Sequence, residues 1–174
     1  MNTITRSKTY MPIAGLILTA ALALPAAAQQ EVPFKGTFQG SDTVSPPTLT
    51  QSITGTGTLV GQFSATITLT LTASGGGTGT ATWTAANGDT IATTATSAGE
   101  HVPMSPCQVV GAQPDDSYFK STVIHTITGG TGRFAGVQGM FILTIYHDVV
   151  PRSDGTHGTC GSYSGTITPP GVAH

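Results

Sequence analysis

The sequence predicts an all-β fold: one eight-stranded antiparallel barrel, with a β-sandwich as the alternative. Three observations predict it. Threonine and glycine dominate the chain after its first thirty residues, and no window there has the 3.6-residue apolar period of a helix. Residues 63–74 alternate strictly between apolar and polar side chains, as in a strand that faces a core on one side. Segments rich in glycine and proline separate this strand from seven others.

The first residues have the layout of a secretory signal peptide. The basic residues Arg6 and Lys8 precede an uncharged apolar stretch over 12–24, and small alanines follow before the expected cleavage site. The apolar stretch is shorter than the roughly 20 residues that a membrane-spanning helix needs. We therefore expect a signal peptide over 1–28 and a single β-barrel domain over 29–174. The mature protein is expected to be secreted or periplasmic, without a membrane span.

Each strand is predicted from β-branched or alternating residues between turn signals. Asn87 and Gly88 predict a two-residue hairpin turn, because both residue types accept positive φ angles. A long connection that contains three prolines follows the fifth strand. Eight strands in up-and-down order favour a closed barrel, since closure removes unpaired sheet edges. The predicted strands are 34–40, 49–60, 63–74, 78–86, 90–97, 118–128, 139–149 and 162–168.

Charge excludes one class of function. Cleavage of the signal removes two of the six basic residues and leaves four against eight acidic residues, a net charge of about −4. The four basic residues are scattered along the chain. Binding to nucleic acid or to an anionic membrane needs a basic stripe, so the sequence predicts neither partner.

The two cysteines, Cys107 and Cys160, predict one disulfide, because an even number of cysteines in an exported protein is typical of paired thiols. Free buried thiols are the alternative. In an eight-stranded meander the connections 5–6 and 7–8 emerge at the same end. Cys107 lies in the former and Cys160 at the close of the latter, which favours the barrel, although a sandwich also permits the contact.

A glycine-rich turn, TGGTGRFAGVQG over 128–139, lies between the predicted sixth and seventh strands. Its glycines permit positive φ angles, and Phe134 is expected to fold back as an apolar plug on the end of the barrel. Phosphate-binding glycine loops open a helix. Here a strand follows, so the turn does not predict a phosphate site.

The stretch GGTGRFAGVQG, with a strand on each side, resembles the turn of the allene oxide cyclase and dirigent-like barrel families. The wider pattern of TGTATWTAANGDT, ITGGTGRFAGVQGMFILT and GSYSGTI is similar to small exported bacterial proteins of that type. The resemblance implies an eight-stranded barrel with an apolar interior and trimeric association. It carries no catalytic residue across. The plant cyclase uses a carboxylate within its barrel, whereas Glu31 and Glu100 of this chain fall in a tail and a loop.

Two histidines on neighbouring predicted strands are the candidate site residues. His125 and His147 each share a strand face with apolar residues, so they form either a metal or acid–base pair, or two satisfied core histidines. Tyr146 is a third candidate for contact with a ligand. Asp148 points to the opposite face from His147, which weakens a local triad. The other two histidines of the predicted domain core, His101 and His157, are expected in exposed loops.

The seventh strand is apolar on both faces. Met140, Ile142 and Tyr146 form one row; Phe141, Leu143 and Ile145 form the other. One row is expected to line the barrel. The other is covered either by a second copy of the chain or by a loop, and a homo-oligomer is the favoured explanation.

The leading functional hypothesis is a non-enzymatic barrel that accepts a small apolar ligand or acts as an oligomeric structural module. No metal site and no cofactor are predicted. One rival is a cyclase or isomerase that holds its substrate by the shape of the barrel cavity. Another is an adhesion or matrix protein. A cavity of several hundred Å³ would favour a ligand or substrate, and a core filled by side chains would favour the structural role.

Overall fold

The computed structural model describes residues 30–112 and 117–169. In these ranges the chain forms a closed eight-stranded barrel in which each strand pairs antiparallel with the next and the first pairs with the last. The predicted fold class is confirmed, and the sandwich alternative is wrong. The strands are β1 (Val32–Ser45), β2 (Thr48–Gly57), β3 (Gly61–Leu71), β4 (Gly77–Ala85), β5 (Thr90–Val102), β6 (Tyr118–Gly130), β7 (Gln138–Asp148) and β8 (His157–Thr168).

The predicted export signal, residues 1–28, lies outside the described residues. Among the residues that are described, no helix has the length and apolar character needed to cross a bilayer.

Several strands extend further than the sequence predicts. β1 continues to Ser45 and β5 to Val102, and β8 begins at His157. The extra residues remain paired with their neighbours, as Asp42 does with Gln51. Hydrogen bonding to the adjacent strand therefore overrides the weak local pattern. As a result His101 and His157 lie in strands, where loops are predicted.

Two strands, β2 and β3, end three residues before their predicted ends, where a threonine hydroxyl forms a hydrogen bond in place of the ladder. The Thr58 hydroxyl donates to the Pro33 carbonyl after β2, and the Thr72 hydroxyl donates to the Gly76 carbonyl after β3. The predicted Asn87-Gly88 turn also needs correction, because only Gly88 has a positive φ, of 88°. The Gly88 amide donates to the Ala85 carbonyl, as in a longer hairpin loop that ends in a left-handed glycine.

One end of the barrel, which we call the plugged end, is closed by the β2–β3, β4–β5 and β6–β7 connections. A single 3₁₀ turn, Gly132–Phe134, follows β6 and inserts Phe134 into the core, as predicted. Val60 and Val137 are buried with it. The Arg133 guanidinium donates to the Val60 carbonyl at 3.0 Å, which joins two of the three connections.

The interior near the plugged end is filled by aromatic rings. Trp83 contacts Phe63, Phe141 and Tyr163 with ring centroids 5.0–5.3 Å apart. Glycine at inward positions makes room for these rings. A Cβ at Gly57 would overlap the Tyr163 hydroxyl, and one at Gly36 would crowd the same ring. This half of the barrel is therefore a packed core.

The disulfide between Cys107 and Cys160 is confirmed, with the two Cα atoms 6.1 Å apart. Cys160 lies within β8 and not in the connection before it. The bond holds the segment after β5 against the outside of the barrel, where Val109 is buried. The loop that it closes spans 53 residues, so the chain-entropy estimate of its stabilisation is about 4 kcal/mol.

The outer surface combines rows of hydroxyls with one apolar patch. Thr50, Thr68, Thr80 and Thr94 occupy directly paired, exposed positions across β2 to β5. The outward residues of β6 and β7 are partly polar, but three apolar ones lie close together on the two paired strands. Ile124, Met140 and Ile142, with 42%, 52% and 41% exposure, form what we call the outer patch. No loop in the described part of the chain covers it, so coverage by a second copy stays a prediction.

We expect Gly139→Val to lower the free energy of unfolding by more than about 2 kcal/mol, measured by urea denaturation. Gly139 has a φ of 135°, a conformation closed to β-branched residues, and its Cβ would overlap the backbone of β8. Gly129→Val is the matched control, because a Cβ there meets no atom within 4 Å. Equal losses in the two variants would contradict this account of the turn.

Lysine substitutions should separate the two faces of β7. Leu143 is fully buried, so Leu143→Lys should abolish folding, as judged by circular dichroism. Ile142→Lys should leave the fold intact and, if a second copy covers the outer patch, reduce the mass in light scattering. A monomeric unmodified protein would rule out the subunit contact.

Candidate functional site

A cavity of about 300 Å³ occupies the opposite half of the barrel, at what we call the open end. It lies among the strand ends next to the β1–β2, β3–β4, β5–β6 and β7–β8 connections. The cavity exists because inward positions that carry aromatic rings in the packed half carry small residues here, among them Ser97 and Ser121. Its apolar lining consists of Val44, Leu49, Ile67, Leu69, Leu71, Phe119, Val123, Ile145 and Val149.

A buried hydrogen bond between a histidine and an aspartate lies within this mostly apolar lining. The Nδ1 atom of His147 on β7 lies 2.6 Å from Oδ2 of Asp42 on β1, and the two side chains are 10% and 2% exposed. The strand between them, β8, contributes the small Thr159 at the position paired with His147. The two longer side chains therefore meet across it inside the barrel.

The contact with Asp42 determines which ring nitrogen of His147 is free. An ionised carboxylate can only accept a hydrogen bond, so the His147 Nδ1–H group donates to Asp42. In the neutral ring, Nε2 then carries a lone pair. Among the described residues Nε2 has no hydrogen-bond partner. It is also not fully buried, so a molecule in the cavity can reach it. Since His147 lines the cavity, the site offers a hydrogen-bond acceptor to whatever enters.

Gln51 extends the polar group on the other side of Asp42. The two residues are paired across β1 and β2, and both line the cavity. Asp42 Oδ1 and Gln51 Nε2 are each buried and unpaired within the described structure. An unpaired buried polar atom costs about 1–3 kcal/mol. Because both atoms belong to residues that line the cavity, each is available for a hydrogen bond with a ligand or a water molecule there.

Three more ionisable residues stand around the mouth of the cavity. His157 places Nδ1 2.8 Å from the carbonyl oxygen of Asp148. The Asp148 carboxylate accepts the Val150 amide at 2.9 Å, so it orders the β7–β8 connection and does not contact His147. His101 packs edge-on against Phe119, with ring centroids 5.2 Å apart. His101 and His157 both line the cavity, although the sequence predicts them in exposed loops.

His125 points inward as predicted but lies deep in the packed half. Its ring stacks on Phe141 at 5.1 Å, and Nδ1 is 2.8 Å from the Thr93 hydroxyl. His125 pairs across the sheet with Phe141, six residues before His147 on β7. At about 3.3 Å per residue that is roughly 20 Å along the strand. His125 and His147 therefore lie too far apart for the metal or acid–base pair that the sequence left open, and the hydrogen-bond partner of His147 is Asp42.

Tyr146, the third predicted candidate, points to the outside of the barrel next to Lys120 and Cys160 on the neighbouring strands. It does not line the cavity. Within residues 30–112 and 117–169, no three histidine, cysteine or acidic side chains are grouped to hold a metal ion.

The site residues that the sequence missed are Asp42 and Gln51. Phe34, Phe38 and Asp42 recur at every fourth residue and face inward together. This period could have predicted from the sequence that Asp42 faces the interior. It is obscured because the intervening inward positions are glycines, and because the predicted first strand ends at Gly40.

The sequence matches no family model, and no curated protein is similar to it at a significant level. A solved structure with a similar fold is that of a pterocarpan synthase dirigent protein. The two sequences are 13% identical, the TM-score is 0.47, and the alignment covers 82% of this chain and 93% of that chain. That protein is of the dirigent type that the glycine-rich turn resembles. This degree of similarity carries no inference about the activity of this chain.

Burial lowers the pKa of His125 from 6.5 to about 4. The folded protein keeps this ring neutral, whereas the unfolded chain takes up a proton below about pH 6.5. Stability should therefore fall as the pH drops from 6.5 towards 4, by about 2 kcal/mol at pH 5 for this group. Urea unfolding at pH 7 and pH 5 should show this loss, and His125→Phe should reduce it by that amount. An unchanged pH dependence in the variant would contradict the buried, neutral state.

Proposed function

We propose that the protein is an exported barrel that binds a small, mostly apolar molecule carrying one hydrogen-bond donor, such as a phenol or an alcohol. The observation that carries this proposal is the His147 Nε2 acceptor in a mostly apolar cavity, held in place by Asp42. Ligand pockets are typically apolar, with a few placed polar groups that orient the ligand. A barrel that served only as a structural module would gain stability from a filled open end.

The volume of the cavity restricts the size of the ligand. An apolar cavity of about 150 Å³ holds benzene. The cavity at the open end has about twice that volume, 300 Å³, which suits a molecule of about two fused rings or a comparable aliphatic chain. The Cys107–Cys160 disulfide supports an oxidising compartment for the mature protein, in agreement with secretion or a periplasmic location.

The test uses 2-naphthol and naphthalene, which differ by one hydroxyl. Fluorescence titration should show saturable binding of both, with 2-naphthol about tenfold tighter, because its hydroxyl donates to His147 Nε2. In the double variant Asp42→Val/His147→Leu this preference should disappear while naphthalene still binds. Removing both partners together avoids leaving a buried charge alone.

His125→Phe is the matched control. It also replaces an inward histidine by an apolar residue, but at a position that does not line the cavity. The preference for 2-naphthol should therefore survive in it. Absence of saturable binding of either compound to the unmodified protein would exclude the proposed function.

A further inference from the structure

We propose that the cavity is also a proton-transfer site, in which His147 acts as a general base on a carbon acid bound beside it, such as a ketone with a hydrogen on the neighbouring carbon. This inference rests on the proposed binding function, because the substrate must first occupy the cavity. It assigns to the Asp42–His147 pair an activity beyond that of orienting a ligand.

The geometry meets the requirements of a base. A general base needs a free lone pair within reach of the substrate and a fixed orientation. His147 donates Nδ1–H to Asp42 at 2.6 Å, and Nε2 remains without a partner among the described residues. A carboxylate behind a histidine holds that tautomer and stabilises the imidazolium that forms when the proton arrives. Asp42 is thus a positioning residue, and His147 is the residue that takes the proton.

The residues that line the cavity around His147 favour its action as a general base. Ile145, Val123 and Leu69 also line the cavity, and a bound substrate would displace water from this apolar wall, so that electrostatic interactions at Nε2 become stronger than in bulk water. The ionisable groups that line the same cavity are His101 on β5, Asp148 at the end of β7 and His157 at the start of β8. His157 and Asp148 are engaged with the β7–β8 connection. His147 is the only described histidine of the cavity wall that is paired with a carboxylate side chain.

The proton transfer can be measured with 5-nitrobenzisoxazole, an apolar two-ring probe. His147 Nε2 would take the proton from C3 of the probe. The C–H electron pair then forms the nitrile as the N–O bond breaks, and the oxygen leaves as a coloured phenolate. His147 returns its proton to water, so the step needs no oxidant, reductant or further reactant. The expected result is saturable product formation at least 10²-fold faster than with the same concentration of free imidazole.

Asp42→Asn is the decisive variant because it preserves shape. An asparagine amide can donate to Nδ1, which would move the ring proton to Nε2 and remove the lone pair from the cavity. The rate should fall at least 10²-fold, while 2-naphthol, which can still meet His147 at the cavity wall, remains able to bind. His125→Phe should retain the full rate. Nitrogen NMR should show a protonated Nδ1 in the unmodified protein and a protonated Nε2 in Asp42→Asn, a change that a purely structural role would not produce.

The outcomes separate the two proposals. If 2-naphthol binds but the probe reacts no faster than in Asp42→Asn, the general base is excluded and the binding function stands. If neither compound binds, both proposals fail. A protonated Nε2 in the unmodified protein would also contradict the proposal that His147 is the general base, whatever the reaction rate.

Discussion

The pairing of β1 with β8 is the interaction on which the other features depend. It runs from the Val32–Ile167 pair to the Asp42–His157 pair, and it converts an eight-stranded meander into a closed wall with an inside. The inward residue of β8 at this point is Thr159, which has a small side chain. Closure of the barrel therefore also brings Asp42 within 2.6 Å of His147, although the two residues are 105 positions apart in sequence. The barrel and its site are thus products of the same ladder.

The interior has two halves that follow from the sizes of inward residues. Towards the plugged end, glycines on β1 and β2 allow Tyr163 and the rings around it to pack without gaps. Towards the open end, serines and branched aliphatic residues leave space. The packed half therefore provides most of the apolar burial, and the other half provides the space for a ligand. Division of this kind is expected where a fold has to support a site.

Much of the fold could be predicted from the sequence because period-2 alternation and turn residues are local signals. The third strand and the inward Phe134 are examples, and the disulfide follows from the presence of two cysteines. The site could not be predicted in the same way, because it depends on the length of the strands and on the register in which they pair. Asp42 lies beyond the predicted end of the first strand, and His157 before the predicted start of the eighth. Two inward histidines on adjacent strands also look like neighbours until the register shows His125 and His147 at different depths.

The threonine rows on the outer wall have a consequence for behaviour in solution. Only 8% of the residues are charged, and the exposed positions of β2 to β5 present paired hydroxyl groups instead. Colloidal stability of such a surface depends on hydration of hydroxyls and not on repulsion between charges. It is therefore little affected by ionic strength, since salt screens only charged groups. A barrel with this surface is expected to remain dispersed over a wide range of salt concentrations.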